Sequence, residues 1–269
     1  MKELSIEEIK QIQLDILKKV DAFCTQNNIT YFLAYGTLLG AIRHKGYIPW
    51  DDDIDIIMPR NDYDKFLKCF NKQTSNIKVI SPDFNKNYPC LFAKIHNEDT
   101  TLKEQVSFKY NIGINIDLSA IDYLPNNKKE AFRIYKRIGI WEKILQAKII
   151  RVNRKRSLSK NTLLIILKLM LSPFSYSSLI QHTNRLINNQ PKHETPYVSD
   201  LQFAFMSTPQ KRILNVNIFK SKIKVLFEGC LFNAPIGYDE WLRSIYGDYM
   251  QLPPLEKQVT HHAFKAYCK

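Results

Sequence analysis

Four aspartates lie within five positions of the chain, in the run Asp51, Asp52, Asp53, Ile54 and Asp55. Their like charges repel one another at neutral pH unless a cation or hydrogen-bond donors offset the repulsion. Asp53 and Asp55 alternate with isoleucines on a predicted strand, so both project from its polar face. Mg²⁺ takes such carboxylate oxygens together with substrate phosphates. The spacing predicts a Mg²⁺ or Mn²⁺ site; a solvated acidic turn is the alternative, and the calcium-loop pattern is absent.

A glycine and a threonine precede this cluster, between a predicted strand and a predicted helix. Small residues at a helix start let backbone N–H groups approach a phosphate, so Gly36 and Thr37 are candidate phosphate ligands. Arg43, His44 and Lys45 follow and could contact phosphate oxygens. A solvated turn before the next glycine is the alternative for these three.

A third carboxylate lies on another apolar strand, predicted over 112–118. Isoleucines and a leucine at even positions share one face of this strand, so Asp117 must point from the other face. Asp117 is therefore available to a polar site formed with the first acidic strand.

The elements around these residues predict an α+β fold, with a mixed sheet and flanking helices in 1–125 and a mostly helical region in 126–269. The two parts are expected to form one compact unit, with the acidic catalytic residues in the first. Ser5 and Glu8 form a capping-box pattern before an amphipathic helix over 6–25. Further helices are predicted over 38–43 and over 62–70 with Asn61 as N-cap, and strands over 30–35, 54–58, 77–80 and 90–95.

Positive charge is concentrated in one segment of the 269 residues. The chain has 39 Lys and Arg against 26 Asp and Glu, a net charge of +13. Twelve basic residues lie between Lys128 and Lys160, interleaved with apolar residues at helical spacing. That pattern is typical of a helix on an anionic membrane surface; a solvated helical face is the alternative. No nucleic-acid-binding motif accompanies the charge, so no nucleic-acid partner is expected.

The remaining features predict a cytoplasmic protein, peripheral on the inner face of the plasma membrane. Five cysteines without a C-x-x-C spacing indicate neither a disulfide framework nor a zinc site. The first ten residues lack the apolar core of a secretion signal. The apolar stretch 162–174 is shorter than the roughly 18 residues that a membrane span requires.

The run GTLLGAIRHKGYIPWDDDIDIIMP at 36–59 resembles the hallmark of the LicD family, phosphocholine transferases related to fukutin-type proteins and to the polymerase-β type of nucleotidyltransferase. The resemblance covers most of the chain except about 126–200. One departure is the pair Ser119 and Ala120, where the family has Phe-Pro. The other matching segments are Lys94-Ile95, Thr100, INIDLSAID at 114–122, Phe227–Gly229, Tyr246–Met250 and Pro253-Pro254.

The resemblance implies a role for each matching residue. Gly36 and Thr37 would bind substrate phosphate, and the reserve candidate for the third carboxylate is Asp122. Trp50, Tyr246 and Tyr249 could bind choline, since aromatic faces attract quaternary ammonium groups. His261 and His262 are read as surface histidines. The implied metal ligands and catalytic residues are Asp53, Asp55 and Asp117, and the implied further substrate contacts are Lys94 and Asp248.

The implied reaction transfers phosphocholine from CDP-choline to a sugar hydroxyl of a cell-surface glycan and releases CMP. Lipopolysaccharide, teichoic acid and capsule are the candidate acceptors, including lipid-linked forms. The same chemistry with CDP-ribitol or CDP-glycerol is an alternative. An RNA nucleotidyltransferase and a non-catalytic membrane-surface protein are more distant alternatives, and the second gives no reason for clustered carboxylates.

Overall fold

A computed structural model describes residues 2–104, 112–150, 157–260 and 264–269. Helices flank a central sheet in the first half and dominate the described residues of 128–188. Short 3₁₀ helices cover Leu201–Met206, Val216–Phe219 and Leu255–Lys257. The α-helices are α1 Ile6–Gln26, α2 Tyr35–Arg43, α3 Arg60–Gln73, α4 Lys128–Ile149, α5 Leu158–Met170, α6 Tyr176–Asn188, α7 Pro209–Arg212 and α8 Tyr238–Tyr246.

The central sheet has the strand order β2-β3-β7-β5-β4, and β8 and β9 extend it beside the far end of β7. Strands β3 and β7 are parallel, whereas the other pairs in this sheet are antiparallel. A separate sheet has the order β1-β12-β6, and β10 and β11 form a hairpin. The strands are β1 Lys2–Glu3, β2 Phe32–Leu33, β3 Asp55–Pro59, β4 Ile77–Ile80, β5 Ala93–Asn97, β6 Thr100–Glu104, β7 Asn115–Tyr123, β8 Tyr197–Ser199, β9 Leu214–Asn215, β10 Lys222–Phe227, β11 Cys230–Pro235 and β12 Phe264–Cys268.

The predicted capping box at the start of α1 is confirmed. The Ser5 hydroxyl accepts a hydrogen bond from the Glu8 backbone N–H at 3.2 Å, and the Ser5 N–H donates to the Glu8 carboxylate at 2.8 Å. Helices α1 and α3 pack on the central strands, where Phe23 meets Phe66 and Phe70 edge to face. This apolar layer fixes the sheet face that leaves the carboxylates on the opposite side.

Four predicted elements begin at other residues in the structure. The strand predicted over 30–35 pairs only at Phe32 and Leu33, because Tyr35 already begins α2, which was predicted to start at residue 38. The helix predicted over 62–70 runs from Arg60 to Gln73 and follows Pro59, so Asn61 is not its N-cap. The strand predicted over 112–118 runs from residue 115 to 123.

The expectation of a mostly helical C-terminal region holds for α4 to α6 and is wrong after residue 196. Strands β8 to β12 follow, and β10 and β11 are joined by Glu228 and Gly229. Both residues have positive φ, 48° and 73°, which is the geometry of a tight two-residue hairpin turn. More and less exposed residues alternate along β10, which is the two-residue period of a strand. The helical prediction for this region missed that period.

Residues before and after position 125 pair in the same sheet and pack in the same apolar core. Strand β8 pairs with β7, and Phe227, Phe232 and Trp241 belong to the same buried cluster as the central strands. The division at residue 125 stays a prediction. Within the described ranges, every helix is too short or too polar to cross a bilayer.

Candidate active site

Three predicted site residues lie in one row across neighbouring strands. Asp55 of β3 is the direct partner of Asp117 in the parallel pair with β7, and Lys94 of β5 is the partner of Asp117 on its other side. The Lys94 ammonium lies 2.6 Å from Asp117 Oδ1 and donates to Asn115 Oδ1 at 2.9 Å. Because these partners are in register, the polar face of the sheet carries a carboxylate, a second carboxylate and an ammonium side by side.

The electrostatics of this row centre on Asp55. Burial raises the pKa of the Asp55 carboxyl well above its usual range, and the charges of Asp53, Asp117 and Asp51 raise it further. Lys94 opposes the shift. Clustered carboxylates with a raised pKa are typical of a site that receives a cation or a proton. Asp53, at the end of the acidic loop, is half-buried and contributes the first of these charges.

The start of α2 is joined directly to β3. The Thr37 hydroxyl is buried and accepts a hydrogen bond from the Asp55 N–H at 2.8 Å, and the Ala34 N–H donates to the Asp55 carbonyl at 3.0 Å. A Cβ on Gly36 would lie 2.5 Å from Asp51 Oδ2, so only glycine leaves room for that carboxylate. Thr37 therefore positions Asp55, and Gly36 lets Asp51 approach the helix start.

A buried cluster that the sequence did not reveal supports the same turn. Tyr35 has φ 45°, in the left-handed region that is uncommon for a bulky residue. Its hydroxyl donates to the Asp200 carboxylate, and the Arg212 guanidinium lies 4.9 Å from its ring centroid. Burial raises the pKa of Asp200 to about 6. These partners come from residues 200 and 212, so no local pattern near Tyr35 could have indicated them.

A cleft of about 740 Å³ opens beside the row of carboxylates. Gly36 and Asp51 lie in its wall and connect it with the row, and Tyr246 is close enough for the Asp55 charge to act on its phenol. Burial first, and then Asp55, raise the pKa of the Tyr246 phenol, although its ring is 43% exposed. The cleft also contains Arg43, Trp50, Asp248 and Tyr249, together with the 251–254 segment that was matched only at Pro253 and Pro254.

The basic turn after α2 contributes unequally to the cleft. Arg43 Nη1 donates to the backbone carbonyls of Tyr249 at 2.7 Å and Gln251 at 3.3 Å, so it ties the C-terminal loop to α2. His44 accepts from Arg43 Nε at 2.9 Å and lies edge to face with Trp50. Lys45 has φ 61° and donates to the Ile42 carbonyl. Of the three, only Arg43 lines the cleft.

The aromatic candidates also differ in exposure. Tyr249 is buried, and its hydroxyl donates to Asp239 at 2.7 Å. Tyr246 presents a partly exposed ring, Trp50 is half-buried, and Asp248 is exposed at the rim. Tyr246 and Trp50 are therefore the aromatic faces available to a ligand in this cleft.

The reserve carboxylate Asp122 is engaged elsewhere. Arg60 Nε and Nη2 donate to its two oxygens at 2.7 and 3.0 Å, and both side chains are 2% exposed. Asp122 lies five positions along β7 from Asp117, beside β8. This is a closed ion pair without room for substrate.

The carboxylates of the acidic loop and of β3 are the candidate ligands for a metal ion. Among the described residues, no group of three or more His, Cys, Asp or Glu side chains is arranged so that it could hold a metal ion, and this includes the predicted set of Asp53, Asp55 and Asp117. Mg²⁺ needs only one or two protein carboxylates when phosphates complete its shell. The mutual repulsion that raises the pKa of Asp55 is the kind that a bound cation relieves. Asp53 and Asp55 therefore fit an ion shared with substrate phosphates. His261 and His262 lie outside the described residues.

Comparison with known proteins identifies the family of this chain. A family model described as the LicD/FKTN/FKRP nucleotidyltransferase domain matches residues 28–103, the part that contains α2, the acidic loop and Lys94. The lipopolysaccharide cholinephosphotransferase LicD of Haemophilus influenzae is 32% identical over 273 residues, which cover 99% of each chain. An uncharacterised protein of Rickettsia typhi is 44% identical over 82 residues, 29% of this chain and 26% of that protein. The chain belongs to the LicD family.

Proposed function

We propose that this protein is a metal-dependent transferase that moves phosphocholine from CDP-choline to a sugar hydroxyl of lipopolysaccharide, releasing CMP. The observation that carries the proposal is the row of Asp55, Asp117 and Lys94 beside a cleft that begins at Gly36. The name of the Haemophilus relative supports the transferred group and the acceptor. The family match also favours a nucleotidyltransferase-type arrangement of the first sheet.

The reaction requires positioning and charge neutralisation more than covalent chemistry from the protein. The acceptor oxygen attacks the phosphorus that bears choline, the bond from that phosphorus to the CMP oxygen breaks, and the hydroxyl proton passes to Asp117. Lys94, at 2.6 Å from Asp117, lies where it can neutralise a phosphate oxygen. Gly36 and the N-terminus of α2 present backbone N–H groups to the donor diphosphate.

Asp53 and Asp55 are the proposed ligands of Mg²⁺ or Mn²⁺. A bound ion would supply Lewis-acid neutralisation of the diphosphate charge. Arg43 holds the loop that carries Tyr249 and Gln251, so the chain itself fixes the width of the cleft. Trp50, Tyr246 and Asp248 would contact the substrate that enters there.

The test is CMP release from a panel of CDP-choline, CDP-ribitol and CDP-glycerol, with Mg²⁺ and purified lipopolysaccharide lacking phosphocholine. We expect CMP release from CDP-choline and not from the other two donors. The Asp55→Asn variant should release no CMP. CMP release from another CDP-alcohol would support the same class of reaction with a different donor. No release from any donor, with teichoic acid and capsule as further acceptors, would refute the proposal.

We also propose that the protein touches an anionic membrane, mainly through α5. The predicted basic segment covers α4 and the start of α5, and residues 151–156 lie outside the described ranges. Lys136, Lys143 and Lys160 are exposed along it. Basic residues beside exposed apolar side chains favour an anionic lipid surface. The exposed apolar side chains of α5 are Leu158, Leu163, Ile165, Ile166, Leu167, Leu169 and Met170.

Liposome flotation tests this contact. We expect recovery with phosphatidylglycerol vesicles to exceed recovery with phosphatidylcholine vesicles, and the double variant Ile166→Glu, Leu169→Glu to lose the difference. Leu231→Glu is the matched control, because Leu231 is 58% exposed on the β11 strand of the hairpin. Equal recovery with both lipids, or equal loss in the control, would rule out docking through α5.

A further inference from the structure

A second cavity, of about 360 Å³, has Phe92 in its wall, two residues before Lys94 of the carboxylate row. It is enclosed by α4, α6, the 3₁₀ helix at 201–206 and the segment that leads into β5. Most of its wall is apolar, and four aromatic rings belong to it. These aromatic residues are Phe92, Tyr176, Phe203 and Phe205.

One charged residue, Glu142 of α4, also lines this cavity. Its side chain is buried at 2% exposure, and its Oε2 accepts a hydrogen bond from the Phe205 N–H at 2.5 Å. Within the described part of the chain, Glu142 Oε1 has no hydrogen-bond partner. A buried carboxylate oxygen without a partner is costly unless a ligand compensates it. Burial raises the pKa of this carboxyl well above its usual range, and the Arg212 charge and the backbone N–H groups of Phe205 and Ala204 offset only part of that shift.

The aromatic wall suits a cation that has no hydrogen to donate. Phe92 and Phe203 stack with ring centroids 4.8 Å apart, and the Lys94 ammonium already lies 5.4 Å from the Phe92 centroid. Gln202 of the 3₁₀ helix also lines the cavity. Its side-chain amide already donates to the Leu91 carbonyl and accepts from the Ala120 N–H. A primary ammonium would need three acceptors here, whereas a quaternary ammonium needs only aromatic faces and one carboxylate.

The cavity is next to the proposed reaction centre. Lys94 contacts both Phe92 in the cavity wall and Asp117 in the row of carboxylates. A phosphate held by the Lys94 ammonium would therefore direct an attached alkyl ammonium towards Phe92. The first cleft, with Arg43 and Trp50, lies beyond Gly36 and remains for the nucleotide or the acceptor.

We propose that the cavity between Phe92, Phe203 and Glu142 binds the quaternary ammonium head of the donor. The proposal rests on the proposed function for the identity of the donor, and it places choline away from Trp50 and Tyr246. Glu142 provides the counter-charge, and the aromatic rings provide the remaining attraction. Residues of α4 and of the 3₁₀ helix at 201–206 would then determine which donor the protein accepts.

The experiment measures two quantities on the full chain, the Kd for free choline by calorimetry and the KM and kcat for CDP-choline. Glu142→Gln keeps the shape of the side chain and an acceptor for the Phe205 N–H. We expect it to weaken choline binding and raise KM about tenfold or more, with kcat nearly unchanged. The uncharged analogue 3,3-dimethylbutan-1-ol should bind equally to both proteins. Glu130→Gln is the matched control, because Glu130 is exposed on the first turn of the same helix.

Phe92→Leu is the second variant, since leucine retains apolar volume and removes the aromatic face. It should weaken choline binding even if Glu142→Gln fails to fold. Unchanged Kd and KM in the folded variants would overturn the cavity assignment while turnover by the parent protein upheld the proposed function. Choline binding that Glu142→Gln or Phe92→Leu weakens, in a protein that transfers nothing, would support the cavity and refute the proposed function. Absence of both choline binding and turnover would overturn both.

Discussion

Asp117 and Asp122 lie on the same strand five residues apart, yet their surroundings are opposite in kind. Asp122 is 2% exposed and receives two hydrogen bonds from Arg60, which is equally buried. Asp117 is 22% exposed, pairs with Lys94, and lies directly across the parallel pair from Asp55. One carboxylate is paired with a buried guanidinium, and the other belongs to a group of like charges.

The difference distinguishes a carboxylate that stabilises the fold from one that we propose takes part in the reaction. A buried ion pair with ideal geometry has no capacity left for a ligand, and losing one partner leaves an uncompensated charge. Like charges gathered at the edge of a cleft reduce stability in the free protein and gain from a bound cation or proton. Asp122 therefore stabilises the contact of α3 with β7, and Asp117 with Asp55 forms the proposed reactive edge.

The largest effect is expected for Asp122→Asn. The buried Arg60 would lose a charged partner, so the free energy of unfolding should fall by about 3 to 5 kcal/mol. Turnover per folded molecule should not change. Urea denaturation and CMP release measure the two quantities. Asp64→Asn is the control, because Asp64 is 40% exposed and lies 3.5 Å from Arg60, and it should cost less than about 1 kcal/mol. A stable Asp122→Asn protein that had lost turnover would reverse the roles of Asp117 and Asp122.

Asp117→Asn should have the opposite profile. Loss of the proton acceptor and of its charge should lower kcat by on the order of 10²- to 10³-fold, with a change in unfolding free energy of about 1 kcal/mol or less. The Asn115 side chain still accepts a hydrogen bond from Lys94, which limits the structural cost. Retained turnover with unchanged metal and substrate affinity would remove Asp117 from the mechanism.

The strand positions of Asp55 and Asp117 could be predicted because they obey local rules. Alternation with isoleucine placed Asp55 and Asp117 on polar strand faces, and the register of β3 with β7 makes them direct partners. The same alternation could not separate Asp117 from Asp122, since that distinction depends on Arg60, a residue 62 positions away from Asp122.

Long-range partners account for the other omissions. The contact of Tyr35 with Asp200 spans 165 residues, and the bond from Phe205 to Glu142 spans 63. In the sequence, Glu142 is one charged residue among many on a predicted basic helix. Its burial depends on how that helix packs, which the sequence pattern does not indicate. The hairpin of β10 and β11 was missed because its turn, Glu228 and Gly229, lacks the usual Asn-Gly signal.

Gly36→Ala tests whether the reactive edge depends on the close approach of Asp51. The added Cβ would lie 2.5 Å from Asp51 Oδ2, so that carboxylate must move away from the start of α2. We expect a loss of turnover of roughly ten- to a hundredfold, since misplacement by about 1 Å has costs of this size. Gly229→Ala is the control, because its φ of 73° introduces strain but a Cβ there meets nothing within 4 Å. Equal turnover in both variants would show that Asp51 has no part in the site.

The smallest effect is a pH dependence, and it contrasts Asp55 with Asp122 most directly. The folded-state pKa of Asp55 is raised above its unfolded value, so the unfolded chain releases this proton first as pH rises. Between the unfolded and folded pKa values, ionisation therefore favours unfolding, and stability falls as pH increases. Asp55→Asn removes that loss, so in the presence of a chelator the variant should become the more stable protein above about pH 4. Denaturation curves from pH 4 to pH 8 measure the difference, and a constant offset between the two proteins would contradict it. Burial also raises the pKa of the Asp122 carboxyl, although the Arg60 charge opposes the shift. Asp122→Asn should nevertheless be less stable than the parent at neutral pH, because the substitution leaves the buried Arg60 guanidinium without its charged partner.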